Sequence, residues 1–264
     1  MSRYVARPEH GCAWITGASS GIGRALALKL AGQGWTIAAT ARSGQALEEL
    51  AVQSSRLEGD ILAFPGDTTD RAAMADIVAQ IGRDAGPIAL AVLNAGIYKP
   101  VRGADLDLND MLQSLDINLC GTVHCLVPVI EVMKKAGRGQ IALTSSVAGY
   151  GGLPTSAAYG ATKAGLINMA ESLKFDLDRI NVRIQIINPG FVDTPATAKN
   201  PFPMPFMMQV EEAAGQLVRG LASRRFEIAF PKMFARSMKV INLLPYPAYF
   251  WAVNRFTSWD RKRD

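Results

Sequence analysis

A tyrosine and a lysine stand four residues apart in a stretch of strong helical character. Tyr159 and Lys163 should therefore lie on one face of a helix, one turn apart. A phenol has an unperturbed pKa of about 10, which is too high for ready ionisation at neutral pH. A nearby ammonium group favours the phenolate and lowers that pKa. The pair is predicted to act as a general acid and base that protonates a carbonyl oxygen as hydride reaches the carbon.

A glycine-rich turn near the N-terminus offers a place for a phosphate-bearing ligand. Directly after an apolar run the chain reads Thr16-Gly17-Ala18-Ser19-Ser20-Gly21-Ile22-Gly23. Glycines permit a tight turn and let the backbone approach a pyrophosphate at a helix start, where free N–H groups and the helix dipole favour an anion. The spacing Gly-x-x-x-Gly-x-Gly differs from the commoner Gly-x-Gly-x-x-Gly. The alternative is a turn with a structural role only.

Short apolar runs alternate with longer helical patterns, and these elements must position both features. Six runs predict buried strands: Cys12–Thr16, Thr36–Thr40, Ile61–Phe64, Ile88–Leu93, Gln140–Thr144 and Val182–Ile187. Five stretches predict helices: Gly21–Gln33, Gly44–Ser54, Arg71–Arg83, Leu108–Lys135 and Thr155–Arg179. The alternation predicts one α/β domain over residues 1–264, with a parallel sheet covered by helices on both faces. In such sheets ligands bind beyond the carboxyl ends of the strands, where these motifs fall.

Seven separate elements agree in order and spacing with one protein family. They are Thr16–Gly23, Asn94-Ala95-Gly96, Asn118, Ser146, Tyr159, Lys163 and Pro189-Gly190. Over roughly residues 10–195 the chain resembles the short-chain dehydrogenase/reductase family in its common single-domain form. The resemblance implies a Rossmann-type doubly wound sheet, an NAD or NADP cofactor, and reversible interconversion of a carbonyl and an alcohol.

The resemblance also assigns roles to single residues. Ser146, thirteen residues before Tyr159, would hydrogen-bond the substrate oxygen, with Ser145 as the alternative. Asn118, 41 residues before Tyr159, would organise a proton-relay water, and Lys163 would also hold the nicotinamide ribose. The implied cofactor contacts are Gly17, Ser19, Ser20, Gly21, Ile22, Gly23, Asn94, Ala95, Gly96, Tyr159, Lys163, Pro189, Gly190, Val192 and Thr194. Thr194 would orient the nicotinamide carboxamide; its alternative role is that of a turn or capping residue.

The end of the second predicted strand bears on the choice between the two cofactors. An acidic residue there would bond the 2′-hydroxyl of the adenosine ribose and repel a 2′-phosphate. The usual acidic position is Ala41, and Arg42 follows it. Because a guanidinium group suits a phosphate, the sequence predicts NADP(H) over NAD(H). The alternative is a solvated Arg42 at a helix start, with selectivity set elsewhere.

The third predicted strand is followed by a short polar run. There Asp67, with Thr68, resembles the family's contact to the adenine ring. The alternative for Asp67 is a helix N-cap, a role that Thr69 or Asp70 also suits.

Composition limits the class of protein. Hydrophobic residues make up 49% of the chain and charged residues 19%, which predicts a packed globule. Three cysteines without metal-ligand spacing argue against a secreted disulfide framework, and no signal peptide is evident, so a cytoplasmic protein is expected. The two histidines are far apart in sequence, and no metal site is expected. Residues 224–264 hold nine basic residues against three acidic ones, so the basicity belongs to this tail and a uniformly basic nucleic-acid-binding surface is not expected.

The C-terminal third should shape the substrate pocket. Pro189–Pro205 predicts a long functional loop or lid. Within Pro201–Met208 the methionines suit a lipophilic substrate, or a lid that packs on its own core. Lys232–Leu244 is amphipathic, and Pro245–Phe256 adds aromatic residues, with Pro245 and Pro247 as helix breakers. The favoured interpretation is a helix packed on the body, the pocket mouth or another subunit; peripheral membrane contact is the other.

The leading hypothesis is an NADP(H)-dependent reductase of a ketone or aldehyde, or an alcohol dehydrogenase. The alternatives are a non-catalytic cofactor-binding sensor and a membrane-surface interaction protein. A 3-oxoacyl thioester, a steroid-like or other lipid ketone and a small secondary-metabolite carbonyl all remain open as substrates. A homodimer or homotetramer is expected from the resemblance, through Leu108–Lys135 and Thr155–Arg179.

Overall fold

Seven strands form one parallel sheet in the computed structural model, which describes residue 2, residues 4–197, residues 204–257 and residue 259. The strands are β1 (Cys12–Thr16), β2 (Ile37–Thr40), β3 (Ile61–Ala63), β4 (Ile88–Leu93), β5 (Gly139–Thr144), β6 (Val182–Pro189) and β7 (Glu227–Phe230). Their order is β3-β2-β1-β4-β5-β6-β7, and every neighbouring pair is parallel. The order reverses between β1 and β4, the place where doubly wound sheets bind ligands.

Helices cover both faces of this sheet. They are α1 (Gly21–Ala31), α2 (Gly44–Ser54), α3 (Arg71–Asp84), α4 (Leu108–Leu115), α5 (Gly121–Ala136), α6 (Ala157–Leu177), α7 (Val210–Ala222), α8 (Lys232–Asn242) and α9 (Tyr246–Thr257). Three of them begin at a capping side chain, because Ser43, Asp70 and Asp107 each accept a backbone N–H from the first turn. Asp70, and not Asp67, is thus the N-cap of α3.

Two apolar layers hold the helices on the sheet. All residues of β1 and β4 are buried, which is why both strands appear in the sequence as continuous apolar runs. One face of β1 packs with Leu26 of α1 and Leu217 of α7. The opposite face packs with Val129 of α5 and Leu166 of α6. The α/β fold predicted from the sequence is confirmed.

Three elements differ from the sequence prediction. A seventh strand, β7, follows α7; it begins with Glu227 and buries only every second residue, so it does not appear as a continuous apolar run. The predicted helix Leu108–Lys135 contains a π-helical segment, Asp116–Cys120, between α4 and α5. The predicted break at Pro245 is confirmed, because α8 ends at Asn242 and α9 begins at Tyr246. Pro247 does not break a helix, because it lies in the first turn of α9, where no backbone donor is needed.

One helical stretch, Leu108–Ala136, is long and apolar enough by length and composition to cross a membrane; no other passes that test in the described part of the chain. Its residues Cys125, Val129 and Met133 are buried against the sheet, so it serves here as a core helix. The predictions for Pro189–Pro205 and Pro201–Met208 fall partly outside the described residues. The basic residues Arg261, Lys262 and Arg263 of the tail lie outside them as well.

Candidate active site

A cavity of about 820 Å³ opens at the carboxyl ends of the strands, where the sheet order reverses. It begins at the glycine turn after β1 and ends among the side chains of α8 and α9. This cavity is lined by all the candidate site residues that the sequence predicts, except Gly23 and Asn118. The structure thus brings together in one cavity residues that are spread over most of the chain.

The glycine turn joins β1 to α1. Gly17 and Gly21 have positive φ angles of 67° and 52°, which favour glycine. A Cβ on Gly23 would lie 2.3 Å from the Gly17 carbonyl oxygen, so Gly23 lets the helix pack on the turn and does not face the cavity. Among the described residues no side chain caps α1, since Ser20 at its N-cap makes no such bond. The N–H groups at this helix start are therefore free for an anion.

One end of the cavity lies between β2 and α2. Arg42 is exposed, lines the cavity, and directly precedes Ser43, the N-cap of α2. Across the cavity stand Asp67 and Thr68, which also line it. The Asp67 carboxylate accepts hydrogen bonds from the Thr69 N–H and hydroxyl, at 3.0 and 2.9 Å, which fixes the turn before α3.

The end of β4 is tied to the glycine turn. The Thr16 hydroxyl oxygen accepts the backbone N–H groups of Asn94, at 2.9 Å, and Ala95, at 3.1 Å. The Asn94 amide donates to the Thr16 carbonyl at 3.3 Å. A Cβ on Gly96 would lie 3.1 Å from the Asn118 Oδ1, so glycine at this position leaves room for that amide. These contacts hold two strand ends in a fixed relation along one wall of the cavity.

Tyr159 and Lys163 lie one turn apart on α6, as their spacing predicts. The Lys163 ammonium stands 5.5 Å from the centroid of the Tyr159 ring and donates to the Thr144 carbonyl at 2.8 Å. Burial lowers the pKa of Lys163 to about 8. Burial also raises the pKa of Tyr159, while a hydrogen bond with Ser146 opposes that rise. The lowered Tyr159 pKa expected from the sequence is not found, because the loss of hydration on burial outweighs the lowering effect of Ser146.

Two neighbouring serines follow β5, and the structure separates their roles. The Ser145 hydroxyl donates to the Lys163 carbonyl at 2.7 Å and so anchors α6. The Ser146 hydroxyl donates to the Pro189 carbonyl at 3.4 Å, accepts the Ala148 N–H at 3.1 Å, and lies close enough to Tyr159 to lower the pKa of that phenol. Ser146 is therefore the serine that stands beside the phenol.

Asn118 lies buried behind the cavity, inside the π-helical segment. Its Oδ1 accepts the Ile97 N–H at 2.7 Å and its Nδ2 donates to the Ile97 carbonyl at 2.9 Å. The amide thus takes both backbone groups of the residue that follows Gly96. Single-turn π segments occur often at functional sites, and this one positions the cavity wall through Asn118.

The loop after β6 forms the remaining wall. Gly190 donates its N–H to the Phe230 carbonyl at 2.7 Å, and Val192 pairs with Met208 in an isolated bridge. The Thr194 N–H donates to the Thr197 hydroxyl oxygen at 3.1 Å, and that hydroxyl donates to the Val192 carbonyl at 2.6 Å. Pro189, Gly190, Val192 and Thr194 all line the cavity.

Comparison with known proteins identifies the family. The family model described as short chain dehydrogenase matches residues 11–202. The chain belongs to the short-chain dehydrogenase family. A protein of Myxococcus xanthus, named as an uncharacterized oxidoreductase, is 34% identical over 251 residues, which cover 95% of this chain and 99% of that protein.

Two relatives with named activities match this short-chain dehydrogenase over shorter spans. A 3-oxoacyl-[acyl-carrier-protein] reductase of Thermotoga maritima is 34% identical over 187 residues, or 71% of this chain and 76% of that protein. The crystal structure of a 3-ketoacyl-ACP reductase of Sinorhizobium meliloti, 28% identical, superposes with a TM-score of 0.73 over 83% of this chain and 96% of that one. The protein is accordingly an oxidoreductase of CH–OH or C=O groups, from a family that binds NAD or NADP.

Sequence reasoning expected the C-terminal third to shape this pocket, but it did not single out the residues that close the cavity beyond Tyr159. Tyr98 packs its ring edge-on against Tyr159, with centroids 5.0 Å apart, and its hydroxyl lies 3.1 Å from the Thr155 hydroxyl. Its place two residues after Asn94-Ala95-Gly96 is the one signal that could have singled it out. The apolar end of the cavity is lined by Leu153, Phe191, Phe206, Phe234, Met238, Ile241, Val253 and Phe256. These come from four separate segments, so local pattern could not assemble them.

Proposed function

We propose that this short-chain dehydrogenase interconverts a lipophilic carbonyl compound and its alcohol with NADP(H), using Tyr159 as the general acid and base. The observation that carries the proposal is the grouping of Tyr159, Ser146 and Lys163 in one cavity with the glycine turn. A nicotinamide cofactor, when bound, supplies or accepts the hydride. The residues of the chain must then bind, orient and move the proton.

Each of the three side chains has a distinct task in reduction. The Tyr159 hydroxyl gives its proton to the carbonyl oxygen, and the raised pKa keeps it protonated until that oxygen gains charge. The Ser146 hydroxyl, beside the phenol, hydrogen-bonds the same oxygen and orients it. Lys163, held by the Thr144 carbonyl, stabilises the phenolate that is left. Oxidation of the alcohol reverses each proton transfer.

The described residues fit a dinucleotide cofactor. The uncapped start of α1 suits the pyrophosphate, and the cavity continues from there to Tyr159. The buried hydroxyl of Thr144 lines this cavity and has no hydrogen-bond partner among the described residues, so it is open to a ligand. Asp67 and Thr68 would hold the adenine, while Lys163, Pro189, Gly190, Val192 and Thr194 would hold the nicotinamide half. Asn118 would organise a proton-relay water, in addition to its hydrogen bond with the Ile97 backbone.

The preference for NADP(H) rests on the end of β2. Ala41 offers no carboxylate to a ribose 2′-hydroxyl, and the exposed Arg42 stands at the cavity beside the start of α2. A guanidinium group and a helix N-terminus both favour a 2′-phosphate. NAD(H) binding would lack both contacts.

The proposed substrate class follows from the apolar end of the cavity. Its lining is aromatic and aliphatic from Leu153 to Phe256, and the polar groups gather at the Tyr159 end. Such a division suits a molecule with one carbonyl and an apolar body. Two of the relatives are named for reduction of 3-oxoacyl groups, which have this character. Self-association, common in the family, is proposed through α5 and α6, where Val127 and Phe175 are exposed.

The decisive experiment replaces the phenol. With a panel of ketones, aldehydes and alcohols and with both cofactors, we expect Tyr159→Phe to lose turnover by about 10²-fold or more while it keeps NADPH affinity. Tyr246→Phe, on the exposed surface of α9, should behave as the unmodified protein. Full activity in Tyr159→Phe would contradict the mechanism. Cofactor binding without turnover of any panel compound in the unmodified protein would favour the non-catalytic sensor instead.

A further inference from the structure

The last two helices carry an outward surface that the body of the protein leaves uncovered. Their inner sides are buried through Ala235 and Met238 of α8 and Tyr249, Ala252 and Val253 of α9. Both helices therefore pack on the body, as the favoured sequence interpretation expects. The residues that point away form what is here termed the α8–α9 outer face: Met233, Val240, Leu243, Tyr246, Phe250 and Trp251, all at least 59% exposed. Scattered exposed apolar residues are normal on a protein surface, whereas a cluster of this kind marks an interaction site.

Cations surround this outer face, and no acidic residue accompanies them. Lys232, Arg236 and Arg255 are exposed, and none forms an ion pair in the part of the chain that the structure describes. Lys239 is different, because it pairs with Glu227 of β7. From residue 232 to residue 257 the sequence contains neither Asp nor Glu. The outer face is thus apolar, aromatic and purely cationic.

We infer that the α8–α9 outer face docks this protein onto an anionic lipid surface. Helices that lie in a membrane interface bury an apolar face and present Lys and Arg to lipid phosphates, with Trp and Tyr at headgroup depth. The outer face has each of these features. A second copy of the chain is the weaker occupant, because a two-fold contact of this face with itself would bring cations together with no acidic residue to pair them.

The α8–α9 outer face lies next to the apolar end of the cavity, so docking would bear on how a substrate enters. Ser237 and Ile241 of α8 and Val253 and Phe256 of α9 line the apolar end of the cavity, so the two helices that form the outer face also border that end. Docking would bring this end of the cavity to the lipid, and an apolar substrate could pass to Tyr159 without crossing bulk water. This second step rests on the proposed function, whereas docking itself does not.

The test measures sedimentation of the purified full chain with vesicles. Vesicles of phosphatidylcholine with phosphatidylglycerol should bind the protein, and vesicles of phosphatidylcholine alone should bind it far less. The double variant Lys232→Glu/Arg236→Glu and the double variant Phe250→Ser/Trp251→Ser should each lower binding by about tenfold or more. All four side chains are exposed, so both variants should fold.

Matched control variants place the same changes elsewhere. Lys134→Glu/Lys135→Glu alters two exposed lysines at the end of α5, and Phe175→Ser alters a phenylalanine on α6 that is 79% exposed. Both controls should keep vesicle binding. If the controls lose as much vesicle binding as the outer-face variants, binding does not depend on the α8–α9 outer face, and the proposal is overturned.

Two further results would overturn it, and a third separates it from the proposed function. The proposal is overturned if the unmodified protein stays in the supernatant with phosphatidylglycerol vesicles. It is also overturned if Phe250→Ser/Trp251→Ser lowers the mass in sedimentation velocity and no vesicle binding occurs, because the outer face is then a contact between copies of the chain. Tyr159→Phe should bind vesicles like the unmodified protein. Turnover of soluble carbonyls without vesicles should be unchanged in the outer-face variants, so a failure of catalysis and a failure of docking are distinguishable.

Discussion

Lys163 is 3% exposed, and its ammonium group has the Thr144 carbonyl as a hydrogen-bond partner in a cavity otherwise poor in charge. Burial lowers its pKa from 10.5 to about 8. Between these two values the unfolded chain binds more protons at this residue than the folded chain does. The cost of burying charged Lys163 is therefore fully present below about pH 8 and fades as the pH rises through that value.

This linkage gives a difference that can be measured. We expect the free energy of unfolding of Lys163→Met to exceed that of the unmodified protein most at pH 8, and this gap to narrow by about 2 kcal/mol by pH 10. Urea denaturation of both proteins at a series of pH values measures it. Comparison with a variant is necessary because burial raises the pKa values of Cys12, Cys125 and Tyr159, which act in the opposite direction. Lys135→Met removes an exposed lysine on α5 and serves as the control for the loss of a lysine outside the cavity.

Arg42 offers a second test at the scale of one residue. Because a hydrogen bond between charged groups contributes about 1.5–3 kcal/mol, Arg42→Ala should raise KM for NADPH by about tenfold or more and leave KM for NADH within about twofold. Initial rates with each cofactor measure the two constants. Arg24→Ala is the matched control. Arg24 is the residue after Gly23, donates a hydrogen bond to the Gln53 side chain and does not line the cavity. An equal loss with both cofactors would contradict the assignment of the phosphate to Arg42.

At the scale of elements, α8 is fixed to the sheet by a small polar cluster around Glu227. The Glu227 carboxylate accepts bonds from the Tyr150 hydroxyl, at 2.5 Å, the Asn188 amide, at 2.8 Å, and Lys239 of α8. These bonds hold the pKa of Glu227 below its usual value, against the effect of burial. Since Phe234, Met238 and Ile241 reach the cavity from α8, this cluster positions the apolar end of the site.

Weakening the cluster around Glu227 should weaken substrate binding more than it slows the chemical step. We expect Glu227→Gln to lower stability by about 1 kcal/mol and to raise KM for an apolar carbonyl several-fold, with a smaller change in kcat. Steady-state kinetics and thermal unfolding measure the two effects. Glu131→Gln, at an exposed position on α5, is the control and should change neither. A fall in kcat with KM unchanged would show that Glu227 does not act through the placement of α8.

The limits of sequence reasoning also show at this scale. The strands up to β6 and the helices up to α6 could be predicted because their apolar periodicity is local and strong. The π-helical segment was not predicted, and the bonds that its Asn118 forms with Ile97 join residues 21 positions apart in the sequence. The spacing of Tyr159, Ser146 and Lys163 predicted their grouping, yet their proton affinities depend on burial, which a list of neighbours along the chain does not contain.

At the scale of the whole molecule, one cavity joins the switch point of the sheet to the C-terminal helices. Its polar end is built by the segments that match the family model, up to residue 202, and its apolar end is completed by α8 and α9, beyond that match. The apolar end of the cavity therefore lies mainly in the part of the chain that the family model does not match. Substrate selection should accordingly depend on how much of the substrate's apolar surface the apolar end of the cavity can cover.

A homologous series of straight-chain ketones tests this division. Burial of one methylene group contributes about 0.8 kcal/mol, so kcat/KM should rise about threefold to fourfold with each added carbon until the apolar end is filled. Ile241→Asn places a polar side chain in that lining and should flatten the rise, while short ketones react as before. Leu243→Asn, two residues further on and 83% exposed, is the matched control and should keep the full slope. If kcat/KM does not depend on chain length, the cavity does not hold the apolar body of the substrate, and selection must occur at the Tyr159 end instead.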